Sequence, residues 1–303
     1  MKRFLLPAAL LVAALAGPQA NAASILVNDF QIDLAAAGEG TGIISPIDEI
    51  TFRGIAHNQT TDTNMNGFQD PGELSIIDGL GSVTSFQGNG GPQNVSSTGE
   101  ILSVDYELTF DFTVGGVGTG LLGGVSTFTH TAPGVGGADG LLDFYVDGTP
   151  DAVLDLGVGG VTASGLTNGT LIATFEILAG DGGVINGNTL DGSDDATFQL
   201  ISAMPGVLLD ADGNDLGLLV KGGAEVLLAF SNSNFDLDAD NDGLINSGPP
   251  AGWPFPRIGS GSPVDHFALE DGSLNLATVP EPASLLGFAA IGAIGIAGRR
   301  RRR

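Results

Sequence analysis

The sequence predicts an all-β fold, an antiparallel β-sandwich or a jelly-roll-like arrangement with loops rich in Gly, Asn and Asp. Glycine accounts for 49 of the 303 residues, and this density without a Gly-X-Y period is typical of many turns between short strands. Helix-forming Lys, Glu, Gln and Arg are scarce between the two ends. Over residues 101–114 apolar and polar residues alternate, which is the pattern of a half-buried antiparallel strand.

The chain divides into three predicted parts. Residues 1–22 form a signal peptide, residues 23–278 a β-sandwich-like extracellular body, and residues 279–303 a sorting segment that includes a short apolar helix in the precursor. Besides 101–114, the body is predicted to contain strands at 24–34, 47–55, 74–77, 81–86, 120–130, 141–146, 152–156, 171–178, 196–203, 216–220, 225–231 and 264–269. Residues 210–215 are predicted to form the tip of a hairpin between 207–209 and 216–220.

The first 22 residues have the three parts of a secretory signal. Lys2 and Arg3 are followed by an apolar run over residues 4–16, and Ala20 and Ala22 provide an Ala-x-Ala cleavage site. The apolar run is too short for an ordinary membrane span. Cleavage after residue 22 or 23 is therefore expected.

A second processing signal follows the body. Pro280, Glu281 and Pro282 precede an apolar run over residues 285–298, and the chain then ends in a basic cluster of Arg299, Arg300, Arg301, Arg302 and Arg303. The apolar run is short for a permanent span, and the arginines favour a cytoplasmic end.

This three-part segment resembles the PEP-CTERM sorting signal. The resemblance implies transient insertion in the inner membrane and processing by an exosortase. It further implies delivery to the outer surface or the extracellular matrix of a Gram-negative cell. It also implies an association with exopolysaccharide, biofilm or flocculation, whereas the body itself carries no residue pattern for such a role.

The charge of the body is strongly acidic. The chain has 35 Asp and Glu against 10 Lys and Arg, a net charge of −25, and only Arg53, Lys221 and Arg257 lie between the terminal signals. This body repels nucleic acids, and it favours divalent cations or basic partners, or simply solubility. The chain has no Cys, which excludes thiol catalysis and Cys-ligated metals.

A twelve-residue loop fits the spacing of a calcium-binding loop. Its oxygen donors fall at the expected places and are Asp62, Asn64, Asn66, the carbonyl of Phe68, Asp70 and Glu73. Gly67 supplies the bend at place six, but no helix is expected to follow. The segment resembles the calcium loops of β-rich bacterial adhesins, and the alternative is an Asx-rich turn without metal.

A second acidic loop provides further candidate calcium ligands, namely Asp236, Asp238, Asp240, Asp242 and Asn246. It resembles the aspartate-rich loops of thrombospondin type-3 and dockerin-like repeats. Clustered carboxylates repel one another unless a cation lies among them. Pro249 occupies the place of the bidentate ligand, so an exposed acidic loop is the alternative. Structural Ca²⁺ at one or both loops is the predicted cofactor.

No catalytic constellation is evident, and the chain is not expected to be an enzyme. His57, His130 and His266 are predicted to be ordinary surface or edge residues. A structural or interaction protein of the cell surface is the leading interpretation. The rival is a calcium-dependent carbohydrate-binding module in which Trp253, Phe255 and Tyr145 stack on sugar rings. A secreted hydrolase would need a cleft with two carboxylates, one of them with a raised pKa.

Overall fold

The computed structural model describes residues 29–66, 68–157, 160–238, 253, 255 and 263–279. The signal peptide with Ala20 and Ala22, and the tail from residue 280 with its apolar helix, lie outside these residues. The strands of the described part are β1 Phe30–Asp33, β2 Ile43–Ile47, β3 Glu49–Thr61, β4 Leu74–Gly88, β5 Gly91–Pro92, β6 Glu107–Leu122, β7 Val125–His130, β8 Leu141–Asp147, β9 Val153–Gly157, β10 Gly160–Ser164, β11 Thr170–Leu178, β12 Gly182–Asn186, β13 Asp191–Ala203, β14 Leu208–Leu209, β15 Glu225–Asp236 and β16 Pro263–Val279.

The predicted all-β, sandwich-like fold is confirmed, with every strand pair of the main sheet antiparallel. The principal sheet has 11 strands in the order β11-β8-β6-β7-β12-β13-β15-β16-β3-β4-β5. Additional pairings of β11 with β13 and of β6 with β4 join its halves. The strands β3, β4, β6, β8, β11, β13, β15 and β16 therefore follow one another in a closed circuit of hydrogen-bonded neighbours.

Aromatic side chains from different strands meet inside this circuit. The ring of Phe52 on β3 lies 5.1 Å from the rings of both Phe110 on β6 and Phe230 on β15. Phe110 also lies 5.7 Å from Phe144 on β8. All four are at most 5% exposed, so one face of each strand packs into a common core and the other face points outward.

A small sheet closes one end of the core. It has the order β14-β1-β2, and Phe30, Ile32 and Leu208 face Leu228 and Leu276 of the main sheet around an apolar cavity of about 20 Å³. Such a cavity holds about one water molecule, so the two sheets are close-packed.

Helical structure is confined to short segments in the described part: α1 Leu34–Ala37, a 3₁₀ turn Val135–Gly137 and α2 Leu216–Lys221. None of these is long and apolar enough to cross a membrane. The predicted strand at 216–220 is wrong, because it is α2. The Asp215 carboxylate accepts a hydrogen bond from the Leu218 N–H and caps this helix.

The alternating segment at 101–114 is placed correctly only in its second half. Strand β6 begins at Glu107 and continues to Leu122 through Gly115 and Gly116. Residues 101–106 form turns with isolated bridges, and Ser103 adopts a positive φ of 61°, which breaks an extended strand.

Candidate functional site

The predicted calcium loop connects β3 to β4 and is docked on β6. The Gly72 N–H donates to the Gly118 carbonyl, and the Gly118 N–H donates to the Glu73 carbonyl, at 2.8 and 2.9 Å. A Cβ atom at Gly118 would lie 2.1 Å from the Asp70 carbonyl oxygen. The close approach of the two backbones therefore requires glycine at position 118.

The loop turns its polar side chains toward one another. The Nδ2 atoms of Asn64 and Asn66 both lie 2.6 Å from Asp70 Oδ2. The Asn66 N–H donates to Asp62 Oδ1 at 3.2 Å and to Asn64 Oδ1 at 3.1 Å, and Asn66 Oδ1 accepts from the Phe68 N–H at 2.8 Å. The predicted donors at places one, three, five and nine thus lie around a common point.

Glu73 closes the loop. Its Oε1 accepts hydrogen bonds from the backbone N–H and the hydroxyl of Thr63, both at 2.6 Å, and its Oε2 accepts from the Asp70 N–H at 2.9 Å. Burial opposes ionisation of this carboxyl, but these hydrogen bonds outweigh it and hold the pKa of Glu73 below its ordinary value. Glu73 is therefore a carboxylate that spans both sides of the loop.

The donor set of the loop fits Ca²⁺. Asp62, Asp70 and Glu73 are carboxylates and Asn64 and Asn66 are amides, which are the hard oxygen ligands that calcium takes. Rotation of the two amide groups would replace the nitrogens that now face Asp70 by oxygens. Gly67 lies outside the described residues, while Met65 at place four has a left-handed φ of 60° that curls the chain around the loop centre.

Only the start of the second predicted calcium loop is described. Asp236 ends β15, where it pairs with Asp191 of β13 and Leu269 of β16. Asp236 Oδ1 accepts from the Asp238 N–H at 2.9 Å, which is an Asx turn. Asp240, Asp242 and Asn246 lie outside the described residues, so calcium at this loop stays a prediction.

The outward face of β4, β6 and β8 carries an acidic surface that the sequence analysis did not single out. Asp111 on β6 lies directly across from Asp143 on β8, and Glu107 lies across from Asp147. Like charges at opposite positions of neighbouring strands destabilise a sheet. Within the described part of the chain, Arg53 and Lys221 are the only Lys or Arg residues, and no salt bridge to either of them neutralises these pairs.

These carboxylates line a cavity of about 240 Å³ together with an aromatic ring. Its polar lining comprises Asp78, Asp111, Asp139 and Asp143, and Phe255 contributes to its wall. Burial raises the pKa of Asp78 to about 6. Burial and the charge of Asp143 raise the pKa of Asp111 to about 6 as well.

The three aromatic residues of the carbohydrate-binding interpretation lie near this cavity. The Trp253 ring is 5.5 Å from Phe255, 5.7 Å from Phe267 and 6.2 Å from His57. The Tyr145 hydroxyl lies 3.4 Å from Asp111 Oδ1. Trp253 is therefore packed against the domain, as predicted for an ordered loop.

Asp111→Asn is expected to stabilise the protein by about 1–2 kcal/mol at pH 7. A pKa raised from about 3.9 to about 6 corresponds to about 3 kcal/mol against ionisation, which partial exposure reduces. The folded state binds more protons than the unfolded state between about pH 4 and pH 6, so stability falls as the pH rises through this window. Urea denaturation at pH 7 and pH 4 measures the difference, which should vanish at pH 4. The matched variant Asp48→Asn, at an exposed acid, should change little at either pH.

A second acidic group lies at the other end of the same two strands. Carboxylate oxygens of Glu107, Asp147 and Asp151 lie within 4.8 Å of one another. Both oxygens of Glu107 accept from the Ala152 N–H, at 3.1 and 3.0 Å. Burial raises the pKa of Glu107 despite this hydrogen bond. Three carboxylates at this spacing offer the kind of ligands that hard divalent cations take.

The expectation that the histidines lie at the surface is wrong for two of them. His57 lies within β3 and is 0% exposed, and His130 at the end of β7 is 3% exposed. His130 Nε2 lies 2.9 Å from Asp194 Oδ1 on β13. The side chain of His266 is outside the described part of the structure.

One signal in the sequence could have identified the acidic face. Asp105, Glu107 and Asp111 occupy the polar positions of the alternating segment, and Asp143 and Asp147 occupy those of the strand at 141–146 and its end. The alternation shows that they point outward. Their pairing depends on the register between β6 and β8, which the alternation does not fix.

Comparison with known proteins gives one match. Residues 278–303 match the model of the PEP-CTERM protein-sorting motif, which confirms the resemblance of the tail. The motif marks an exported protein that an exosortase sorts to the cell surface. No curated protein and no solved structure matches the chain.

Proposed function

Because the chain carries a PEP-CTERM sorting motif, we propose that its body is a calcium-braced structural or interaction domain of the outer cell surface or the extracellular matrix. The role would be in exopolysaccharide, biofilm or floc formation. The observation that supports it is the loop between β3 and β4, in which Asp62, Asp70 and Glu73 lie with two Asn amides around one point.

The distribution of charge supports a role in cation-dependent adhesion. Two like-charge pairs lie on the outward face of β6 and β8, and a closed circuit of strands supports them. A rigid acidic face attracts divalent cations, which in turn bridge to anionic polymers. The mechanism is electrostatic cross-linking rather than chemistry on a substrate.

Deletion of the gene in the producing cell tests the proposal. Cells that lack the protein should aggregate less, and a plasmid copy should restore aggregation. A copy truncated after Val279 should be exported but fail to restore it, because the domain is no longer sorted. A chelator should lower the aggregation of wild-type cells. Unchanged aggregation in the deletion strain would contradict the proposed role.

The second candidate function is calcium-dependent carbohydrate binding at the 240 Å³ cavity. Sugar hydroxyls donate hydrogen bonds to carboxylates, and aromatic faces pack on the apolar face of a sugar ring. Asp111, Asp143, Tyr145 and Phe255 supply both kinds of group at one place. The cavity has room for about one sugar ring.

Glycan-array binding with and without a chelator distinguishes this candidate from the first. The Trp253→Ala variant should lose about tenfold or more in affinity, because an aromatic contact contributes about 0.5–1.5 kcal/mol beyond its buried area. Tyr145→Phe keeps the ring and removes only the hydroxyl, so it separates packing from hydrogen bonding. An array without any chelator-sensitive ligand would speak against carbohydrate binding.

A further inference from the structure

The last strand of the domain overlaps the sorting motif. Strand β16 extends to Val279, whereas the motif match begins at residue 278. Thr278 pairs with Val226 and Val279 pairs with Glu225 of β15. Two residues of the matched motif therefore belong to the folded sheet, and no linker separates the domain from Pro280.

The end of β16 is held more weakly than its middle. The ladder between β16 and β3 ends at the pair Leu274 and Ile50, while the ladder with β15 continues to Val279. Residues 275–279 thus pair with β15 alone among the described strands. Leu276 is 5% exposed and lines the small core cavity. Beyond Leu276, three backbone pairs remain.

Recognition and folding compete for these backbone groups. Enzymes that act on peptide segments commonly hold them extended through backbone N–H and C=O groups, and a group that is bonded to β15 is not free to do so. We propose that the sorting enzyme acts on a released end of β16, in which residues 277–279 leave β15 while the rest of the domain stays folded. Strand ends open at a small fraction of the global unfolding free energy, and the burial of Leu276 stops the release there.

The absence of cysteine from the chain makes a cross-linking test clean. Glu225→Cys with Val279→Cys joins the last pair of the ladder, and Ala229→Cys with Asn275→Cys joins a pair before Leu276. The two pairs are separated by an even number of residues, so they occupy the same type of ladder position. The second variant is therefore a matched control that leaves the end free.

Both variants are produced in a cell that contains the sorting enzyme, and precursor and processed forms are separated by mass. The oxidised Glu225/Val279 variant should accumulate as precursor, and reduction should restore processing. The oxidised Ala229/Asn275 variant should be processed like the wild type. Insertion of six Gly and Ser residues after Val279 should rescue the blocked variant, because recognition then no longer needs the strand.

The alternative outcomes overturn the inference. Equal processing of both oxidised variants would mean that the enzyme acts without release of β16. An equal block of both would mean that general stiffening of the domain, and not release of its end, controls the step. A blocked variant that the insertion fails to rescue would exclude competition for the backbone of residues 277–279.

Discussion

Asp194→Asn is expected to lower the free energy of unfolding by about 3 kcal/mol at pH 6. Asp194 Oδ1 lies 2.9 Å from His130 Nε2, and the two residues are 5% and 3% exposed. Removal of one partner from a buried ion pair leaves the other charge uncompensated, which costs about 3–5 kcal/mol. The pair also spans strands, because β12 lies between β7 and β13 and pairs with both.

The pH dependence of this loss has a defined direction. Burial disfavours the charged imidazole, but the charge and the hydrogen bond of Asp194 outweigh burial and raise the pKa of His130 above its ordinary value. The stabilisation is therefore fully present below the unfolded pKa of about 6.5 and is lost as the pH rises through the folded pKa. The variant should differ most from the wild type at pH 5–6 and least at pH 9.

Urea denaturation at pH 6 and pH 9 measures both effects. Asp195→Asn is the matched control, since Asp195 is the next residue of β13 but is exposed, and its carboxylate accepts only a surface hydrogen bond from Ser231. It should cost less than about 1 kcal/mol at either pH. A loss in Asp194→Asn that is equal at both pH values would show that the charge of His130 contributes nothing.

The features that the sequence predicted are those that depend on local spacing. Strand alternation identified the core-facing positions of β6, such as Phe110 and Phe112, because a period of two residues depends on the backbone alone. The positions of the donors around Asp62 and Glu73 likewise follow from one continuous loop. Their calcium stays a prediction, since spacing brings ligands together without an ion.

Features that depend on strand pairing were missed. The cross-strand pair of Asp111 and Asp143 is set by the register of β6 against β8, and His130 reaches Asp194 over 64 residues of sequence. Helix α2 was read as a strand because its apolar residues fit either period over so short a segment. Asp215 decides between them by capping the helix.

Calcium is expected to raise the melting temperature by about 3–10 °C. At 10 mM Ca²⁺ and dissociation constants of about 10⁻⁴–10⁻³ M, binding to the folded state alone contributes about 1.4–2.7 kcal/mol. For a domain of this size, each kcal/mol corresponds to about 2–4 °C. Thermal denaturation in calcium and in chelator measures the shift, and titration calorimetry gives the number of sites.

Variants in an Asp240→Asn background, which weakens the second loop, isolate the loop between β3 and β4. Glu73→Gln keeps the size of the side chain and removes the charge that spans Thr63 and Asp70, so the calcium-dependent shift should vanish. Asp212→Asn changes an exposed acid at the tip of another Asx-rich turn and should leave the shift intact. If both variants keep the full shift, the ion binds elsewhere, and the Glu107, Asp147 and Asp151 group becomes the next site to substitute. Identical melting curves in calcium and in chelator would instead mean that the hydrogen bonds of Glu73 alone hold the loop.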